Sequence, residues 1–401
     1  MAAVASPTTL RQILVTKKPR IPIPRGGAKK NTQNRLWPEL ELRIWEEFSL
    51  NVLNESYGHV LEAPFPNYQL PMPSPDEALA GVTANSDLSI RHLTVWNDQL
   101  MRQTLHFAQR HLDICPGLVL RLNASPPDAL SSNLTIPNAR GPRPVDHLIE
   151  IDHQVMAVGI VRTSAKFSGR NVSKWLNRST REMKWPLRQL ASLCRLARTR
   201  YGYIQTDDET VVCCFSVPGD QRHVENQDNN NTQEPPLNVA IMPIPWERHG
   251  VENLTTDLAL WWLSMLAMAG EHHRPIVHDD EMVKIHEWDI LHLDDERGWV
   301  RRHKYSNWQE PTDPPPPPAY VTPEPGNPAV FHAAVGLHAN VGFSPIMEMN
   351  EFPNNNNDMY LQVPGVDEFN AIADPANNDF DEDEFYRILG LDGQPQVGIP
   401  Q

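Results

Sequence analysis

Acidic residues lie at the start of the stretch from Pro144 to Tyr203, and carboxylate oxygens are the ligands that Mg²⁺ prefers in proteins. Asp146, Glu150 and Asp152 are spaced along one strand-like run, in which Asp146 and Glu150 fall on the same face. Four residues of strand separate those two backbones by about 13 Å, too far for both carboxylates to bind one ion at about 2 Å. Asp146 is therefore either a lone metal ligand or a strand-end carboxylate that accepts backbone hydrogen bonds.

Two strand-like runs and an amphipathic helix surround this carboxylate in the sequence. Residues 145–151 alternate between polar and apolar side chains, as a half-buried strand does. Residues 155–164 begin almost wholly apolar, which is typical of a strand buried on both faces. Pro186 suits the first turn of a following helix. The apolar stripe of that helix is Leu187, Leu190, Cys194 and Ala197, and Arg188, Arg195 and Arg198 are expected to face solvent.

Apolar periodicity elsewhere predicts an alternation of helices and strands. In chain order the predicted elements are a helix containing Leu40, Ile44, Phe48 and Val52, a long helix from Ser86 to His111, a strand over 115–122, a β-hairpin that turns at Asp207 and Asp208, a strand over 239–243 and an apolar helix over 254–269.

The order of these elements resembles the core of PD-(D/E)XK nucleases, and in particular the divergent domain found in many fungal proteins. The resemblance covers residues 86–275 and rests on Trp96-Asn97, Val145-Asp146, the run from Ala157 to Thr163, and Gln189. It implies an α/β (α+β) fold, a restriction-endonuclease-like core in which helices flank a central mixed sheet.

The resemblance also implies a chemistry, since such nucleases use one or two Mg²⁺ ions to activate water. A second carboxylate and a lysine two residues later belong on the strand after Asp146, within Gly159 to Thr163. One register of that strand offers Ile160 and Arg162, the other Val161 and Thr163, so neither supplies an acid or a lysine.

Only Asp146 and Gln189 match the family's catalytic positions, and Leu93 stands where the family has a helical glutamate. Asp146 is the one inherited metal position, and Lys166 could replace the missing base without supplying a metal ligand. The resemblance therefore implies a degenerate site with no resident cofactor, or Mg²⁺ if the chain is an active nuclease.

Charge divides the chain of 401 residues, whose net charge is −15, into three parts. Residues 1–38 hold eight Lys or Arg and no acid, and predict a disordered basic arm. Residues 39–305 form the predicted PD-(D/E)XK-like globular domain. Residues 306–401, rich in Pro and Asn, hold fifteen Asp or Glu against one Arg and predict a disordered acidic tail.

The basic arm contains Lys17, Lys18 and Arg20, a run with the form of a nuclear import signal. The alternatives are a solvated basic segment and a mitochondrial transit peptide, whose helix the prolines would break. The prediction is a nuclear protein, with the cytoplasm as the alternative location.

Acids and large apolar side chains alternate in the tail over residues 379–391. This composition is typical of segments that bind a partner groove as a short helix, and the partner-binding residues would be Phe380, Phe385, Ile388 and Leu389. The alternative is a solubilising tail without a partner.

Other features exclude several classes of protein. The four cysteines lack metal-ligand spacing and predict buried thiols in a reducing compartment. The apolar run from Leu258 to Gly270 is too short to span a bilayer, so no membrane partner is expected. The histidines and acids of 271–292 match no zinc pattern and predict a solvated loop.

Together these observations favour a non-catalytic nuclear regulatory or interaction protein built on a degenerate nuclease-like fold. Its acidic tail would bind protein partners, in transcriptional regulation, and nucleic acid is a further candidate partner. Two alternatives remain open: an Mg²⁺-dependent nuclease acting on DNA or RNA through Asp146, and a toxin or self-recognition factor.

Overall fold

A computed structural model describes residues 8–23, 30–66, 74–126, 134–137, 144–178, 180–219, 234–294 and 297–315. The helices are α1 Leu10–Leu14, α2 Leu50–Leu61, α3 Pro75–Ala78, α4 Asp87–His111, α5 Gly169–Lys174, α6 Arg181–Ala197 and α7 Thr256–Met268. The strands are β1 Leu40–Ile44, β2 Leu120–Ala124, β3 His147–Ile151, β4 Gln154–Val161, β5 Tyr201–Gln205, β6 Glu209–Ser216, β7 Leu237–Pro245, β8 Trp288–His292, β9 Trp299–His303 and β10 Gln309–Pro311.

A seven-stranded mixed sheet in the order β1-β7-β6-β5-β4-β3-β2 forms the centre of the described fold. The β4–β5 and β1–β7 pairs are parallel, and the other neighbours are antiparallel. Helix α6 connects the parallel strands β4 and β5, as a crossover between parallel neighbours requires. The predicted α/β (α+β) class, a mixed sheet flanked by helices, is confirmed.

Apolar side chains on the two faces of the sheet belong to two separate cores. Ala157 and Val161 of β4 pack in the core that contains residues of α4 and α7, and Val158 and Ile160 pack in the core that contains residues of α6. The alternation follows from the two-residue period of a strand. The prediction that this strand is buried on both faces is therefore confirmed.

The prediction of a helix through Leu40 and Ile44 is wrong. Residues 40–44 form β1, which pairs in parallel with Leu237–Ile241 of β7, and α2 begins only at Leu50. Four-residue spacing of apolar side chains fits a helix as well as a short strand, and here hydrogen bonding to a distant strand decides between them.

Part of the predicted disordered arm is ordered. Helix α1 begins after Thr9, whose side chain accepts a hydrogen bond from the backbone N–H of Gln12. Leu10 and Leu14 are fully buried in the core that contains α7. The prediction of disorder over residues 1–38 is therefore wrong for residues 8–23, because apolar residues between the basic ones anchor the segment.

Lys18 is buried rather than exposed in a basic arm. Its Nζ lies 2.6 Å from Asp257 Oδ1 of α7 and 3.9 Å from the centre of the Trp246 ring. Burial lowers the pKa of Lys18, and the Asp257 carboxylate opposes that effect. Lys17 and Arg20 are exposed, so only those two of the three predicted import-signal cations are accessible in the folded chain.

Arg188 is also buried, contrary to the prediction that it faces solvent. Helix α6 begins at Arg181, five residues before Pro186, and Arg188 Nε donates to the Pro38 carbonyl oxygen at 2.8 Å. Its guanidinium lies over the Trp185 ring at 4.3 Å. The arginine thereby attaches the segment before β1 to the helix, whereas Arg198 is exposed as predicted.

A second, three-stranded sheet in the order β10-β9-β8 follows α7 and was not predicted. It extends past residue 305, so the ordered region continues beyond the predicted end of the globular domain. Buried Tyr305, which follows β9, belongs to the core that contains residues of α7. Among the described helices, none combines the length and hydrophobicity that crossing a bilayer requires.

Replacing Asp257 with Ala should destabilise the fold strongly, because it leaves the Lys18 ammonium buried without its counter-charge. We expect the free energy of unfolding in urea to fall by about 3–5 kcal/mol. Lys17→Ala is the matched control at an exposed lysine and should change stability by less than about 0.5 kcal/mol. Equal effects of the two substitutions would contradict a structural role for Lys18.

Candidate active-site remnant

Asp146 lies in a bend immediately before β3, not within the strand. Its backbone N–H donates to the Gly159 carbonyl oxygen at 3.1 Å, and its own carbonyl accepts from the Ser125 N–H at 2.8 Å. These bonds fix the residue beside the end of β4. The position agrees with the prediction of a carboxylate near the start of a strand.

Both oxygens of the Asp146 carboxylate are bound by protein donors. Arg91 Nε of α4 lies 2.9 Å from Oδ1, and the Val161 backbone N–H donates to Oδ2 at 2.9 Å. Only 12% of the Asp146 side chain and 8% of the Arg91 side chain are exposed. A guanidinium therefore supplies the positive charge that a metal ion would supply to this carboxylate.

The end of β4 offers no second carboxylate to this position. Val161 packs in the core with residues of α4, and Ile160 packs in the core with residues of α6, so Val161 and Thr163 form the register on the side of Arg91. A side chain at Gly159 would collide with the Tyr203 ring, 2.5 Å from an added Cβ.

Gln189, the second catalytic position that the resemblance identified, lies on the other side of the sheet. Its Oε1 accepts a hydrogen bond from Arg162 Nη2. No hydrogen bond joins Gln189 to Asp146 in the described part of the chain. The two remnant positions therefore share the end of β4 but not a common ligand-binding point.

Lys166, the predicted substitute for the missing base, is bound by another acid. Its Nζ lies 2.5 Å from Asp87 Oδ2, and the Thr163 backbone N–H donates to Asp87 Oδ1 at 3.0 Å. Ser164 likewise donates to Asp207 through its backbone N–H at 2.7 Å and its hydroxyl at 2.6 Å. Asp87 of α4 and Asp207 of the β5–β6 turn therefore hold the loop after β4 in place.

A buried polar layer lies beneath this loop, between α4 and the sheet. Tyr203 Oη and His147 Nδ1 are 2.5 Å apart, and burial lowers the pKa of His147 to about 3. Asn97 Nδ2 donates to Gln205 Oε1 at 3.2 Å, and Thr210 Oγ1 donates to the same oxygen at 2.8 Å. Asn97 of the Trp-Asn pair thus connects α4 to β5.

These residues do not fit a magnesium site. Mg²⁺ takes near-octahedral oxygen ligands, and here one carboxylate already has a guanidinium and an amide as partners. Within the residues that the structure describes, no group of three His, Cys, Asp or Glu side chains is placed to hold a metal ion. Glu150, the nearest acid along β3, accepts instead from Asn123 Nδ2 at 2.8 Å.

The prediction of a solvated loop over 271–292 agrees with the exposure of Glu271, His272, Asp280, Glu281, His286 and His292, but it is wrong for His273 and Asp279. His273 is buried and stacks on Tyr305, with ring centres 4.0 Å apart. Asp279 accepts from Ser216, from Asn238 Nδ2 at 2.6 Å and from Arg43. Burial opposes ionisation of Asp279, but these hydrogen bonds outweigh burial and lower its pKa.

The partner-binding residues predicted in the tail, Phe380, Phe385, Ile388 and Leu389, lie outside the described residues. Three of the four cysteines are buried thiols, as predicted, and Cys115 is half-buried.

No family model, curated protein or solved structure matches this chain. The nuclease resemblance therefore stays a prediction. It rests on the order of the elements and on a few residues, chiefly Trp96-Asn97, Asp146 and Gln189.

Sequence reasoning missed Arg91, the residue that determines the chemistry of the site. It lies four positions after Asp87 on α4, so both side chains extend from the same side of the helix. The available signal was a pair of charged residues, Asp87 and Arg91, on the first turns of this helix. The neighbouring positions Ile90 and Leu93 are apolar. Charge alone does not reveal the partner, because Asp146 is 55 residues away.

A double-mutant cycle should reveal strong coupling between Arg91 and Asp146. Either substitution by Ala removes the ion pair between two nearly buried charges, so each should lower the free energy of unfolding by about 3–5 kcal/mol. The double variant should lose less than the sum, with a coupling energy of about 1–3 kcal/mol in urea denaturation.

The matched control for this cycle is the Asp98–Arg102 pair on the same helix, 3.0 Å apart with the arginine 56% exposed. Its coupling should be about 0.3–0.5 kcal/mol. Additive effects of Arg91→Ala and Asp146→Ala would show that the two charges do not interact.

Proposed function

We propose that this chain is a non-catalytic binding protein built on a degenerate nuclease-like fold. The single observation that carries the proposal is the Arg91 guanidinium, which lies 2.9 Å from Asp146 where a nuclease would bind a metal ion. Phosphodiester hydrolysis of this type needs a cation that activates water, and a guanidinium has no open coordination position for water.

The absence of an acid at Val161 and Thr163 and the presence of Arg91 beside Asp146 agree with each other. Asp146 alone would leave a nearly buried negative charge, whose desolvation is unfavourable without a cation. Neither Val161 nor Thr163 supplies a carboxylate that would help to bind Mg²⁺. The Arg91 side chain instead provides the positive charge that the buried Asp146 carboxylate needs. The pair stabilises the fold and excludes the metal in one arrangement.

A surface at the end of α5, the helix that follows the loop after β4, offers a site for a polyanion. The basic elbow, defined here as Lys174, Trp175 and Arg178, lies where α5 continues into a 3₁₀ turn. The Trp175 side chain is 52% exposed, and neither Lys174 nor Arg178 has an ion-pair partner among the described residues.

The charges around the elbow favour nucleic acid. Residues 166–184 contain six Lys or Arg and one acid, Glu182. Three of these cations are already paired: Lys166 with Asp87, Arg170 with Asp208 and Glu209, and Arg181 with Glu39. The free cations flank an exposed indole, and stacking of unpaired bases on aromatic rings between cations is the common basis of single-strand binding.

The remaining parts of the proposal come from the sequence. They are a nuclear location and a protein partner for residues 379–391 in transcriptional regulation. A reporter assay with residues 340–401 fused to a DNA-binding domain measures the second of these.

Purified full-length protein should not cleave single- or double-stranded DNA or RNA in Mg²⁺ or Mn²⁺, and isothermal titration should detect no Mn²⁺ binding at Asp146. Gel electrophoresis of labelled substrates is the measurement. Cleavage that disappears in Asp146→Ala would overturn the proposal and favour the active nuclease.

A gain-of-function pair makes this negative result informative. Val161→Glu combined with Arg91→Met gives Asp146 a second carboxylate and removes the competing guanidinium, so this variant should bind Mn²⁺. Val161→Gln with Arg91→Met is the matched control and should bind it far more weakly. Circular dichroism establishes that both variants are folded.

The elbow should bind single-stranded nucleic acid. In fluorescence anisotropy with a labelled 16-nucleotide strand, Lys174→Glu with Arg178→Glu should weaken binding at least about tenfold and reduce the dependence of binding on salt. Trp175→Ala should cost about 1–3 kcal/mol of binding free energy, the usual effect of losing a stacked base.

Arg110→Glu, an exposed charge reversal near the end of α4, is the control and should leave anisotropy titrations nearly unchanged. Equal weakening by Arg110→Glu would mean that binding follows net charge and not the elbow.

A further inference from the structure

We propose a second ligand site at the opposite end of β4 from Asp146: an arginine groove that binds a phosphate-bearing small molecule. The groove is open, has a volume of about 900 Å³ and is lined by His153, Arg195, Leu196, Arg198, Glu271 and Arg274, among others. It begins at the β3–β4 turn, whereas Asp146 is next to Val161 at the far end of the same strand. Seven residues of strand rise separate the two sites by about 23 Å.

Basic side chains from three parts of the chain converge on this groove. Arg195 and Arg198 come from the end of α6, Arg274 follows the 3₁₀ turn Glu271–His273, and His153 lies in the β3–β4 turn. Arg121 of β2 adds a fourth guanidinium behind His153, 3.2 Å from its Nδ1. This arrangement differs from a row of arginines on one solvent-exposed helix face, because the arginines come from elements that are far apart in the sequence.

Two of these guanidiniums are partly removed from water. Burial lowers the pKa of Arg274, with Glu271 opposing the effect, and burial lowers the pKa of Arg195, with Glu234 opposing it. The Arg274 side chain is only 12% exposed, and its Nε is buried without a hydrogen-bond acceptor. Burying a charged donor without an acceptor is unfavourable, so a nearby anion in the groove would stabilise the Arg274 guanidinium.

The protein neutralises the groove only in part. Arg195 is bound by Glu234 Oε2 at 3.3 Å, and Arg274 Nη1 donates to Gln154. Glu271 lies 3.8 Å from Arg274 Nη2 with 82% of its side chain exposed, so it is a weak partner that an anion could displace.

Arg198 has no partner among the described residues, and its backbone is unusual. It caps α6 in the left-handed conformation with φ of 56°, a position where glycine is normally preferred. An arginine there is less favourable for the backbone than glycine, and in this fold it places a free cation at the rim of the groove.

Phosphate fits this donor set better than carboxylate does. Planar guanidiniums bind phosphate oxygens through paired hydrogen bonds, and several arginines can surround its three or four oxygens at once. Leu196, 38% exposed, and Val155 provide an apolar wall beside the cations. A groove of about 900 Å³ accommodates a ligand of nucleotide size, whose phosphate would meet the arginines and whose remaining part would contact that wall.

Isothermal titration of the full-length protein with inorganic phosphate, pyrophosphate and AMP tests the proposal. We expect saturable binding of at least one probe, and Arg198→Ala should weaken it about tenfold. Arg198 is exposed and unpaired, so its removal should not impair folding. Arg110→Ala is the control at an exposed arginine outside the groove and should leave the affinity unchanged.

Tighter binding of AMP than of phosphate would identify the apolar wall as part of the site, and tighter binding of pyrophosphate would identify a polyphosphate ligand.

Absence of binding for all three probes would overturn the proposal, as would equal affinity in Arg198→Ala and the unsubstituted chain. The charge-reversed elbow variant Lys174→Glu with Arg178→Glu should bind the probes normally. If it loses them, the anion binds at the elbow and the groove is not the site. The groove and the proposed binding function can therefore fail separately.

Discussion

The buried ion pair between Arg91 and Asp146 is the interaction on which the rest of this site depends. It joins α4 to the bend before β3, and the second oxygen of the same carboxylate joins that bend to the end of β4 through the Val161 N–H. A buried carboxylate needs a cation, and the chain supplies one as a side chain rather than as a metal. The aspartate therefore has a structural role: it holds α4, the bend before β3 and the end of β4 together.

Features that neighbouring residues determine could be predicted from the sequence. Features that depend on contacts with residues far along the chain could not. The spacing of apolar residues within α4, β4 and α7, and the Asp207-Asp208 turn, predicted those elements because local periodicity and turn chemistry specify them. Strand β1 was misread as a helix, because what decides its conformation is β7, almost two hundred residues later. Asp146 was identified and Arg91 was not, since a pattern along the chain shows the residue type and not its partner.

Buried cations explain most of the remaining differences between expectation and structure. Lys18, Arg188 and Arg200 are each almost completely inaccessible, although composition alone assigns lysine and arginine to the surface. Arg188 donates to backbone carbonyl oxygens of the segment before β1, and Arg200 donates to the His272 carbonyl oxygen. Lys18 instead pairs with Asp257 of α7 and so attaches the N-terminal segment to that helix. The two arginines satisfy backbone acceptors outside regular elements, and the period of a helix or strand does not reveal such contacts.

This use of cations changes where the molecule is positive. A count of basic residues places the charge in the N-terminal segment and along α6, but Lys18 and Arg188 are neutralised internally or directed at carbonyl oxygens. The cations left without partners among the described residues include Lys174 and Arg178 at the elbow and Arg198 at the groove. Electrostatic attraction of an anion depends on these free charges and not on the total. The elbow after α5 and the groove at the β3–β4 turn are therefore the surfaces at which binding is expected.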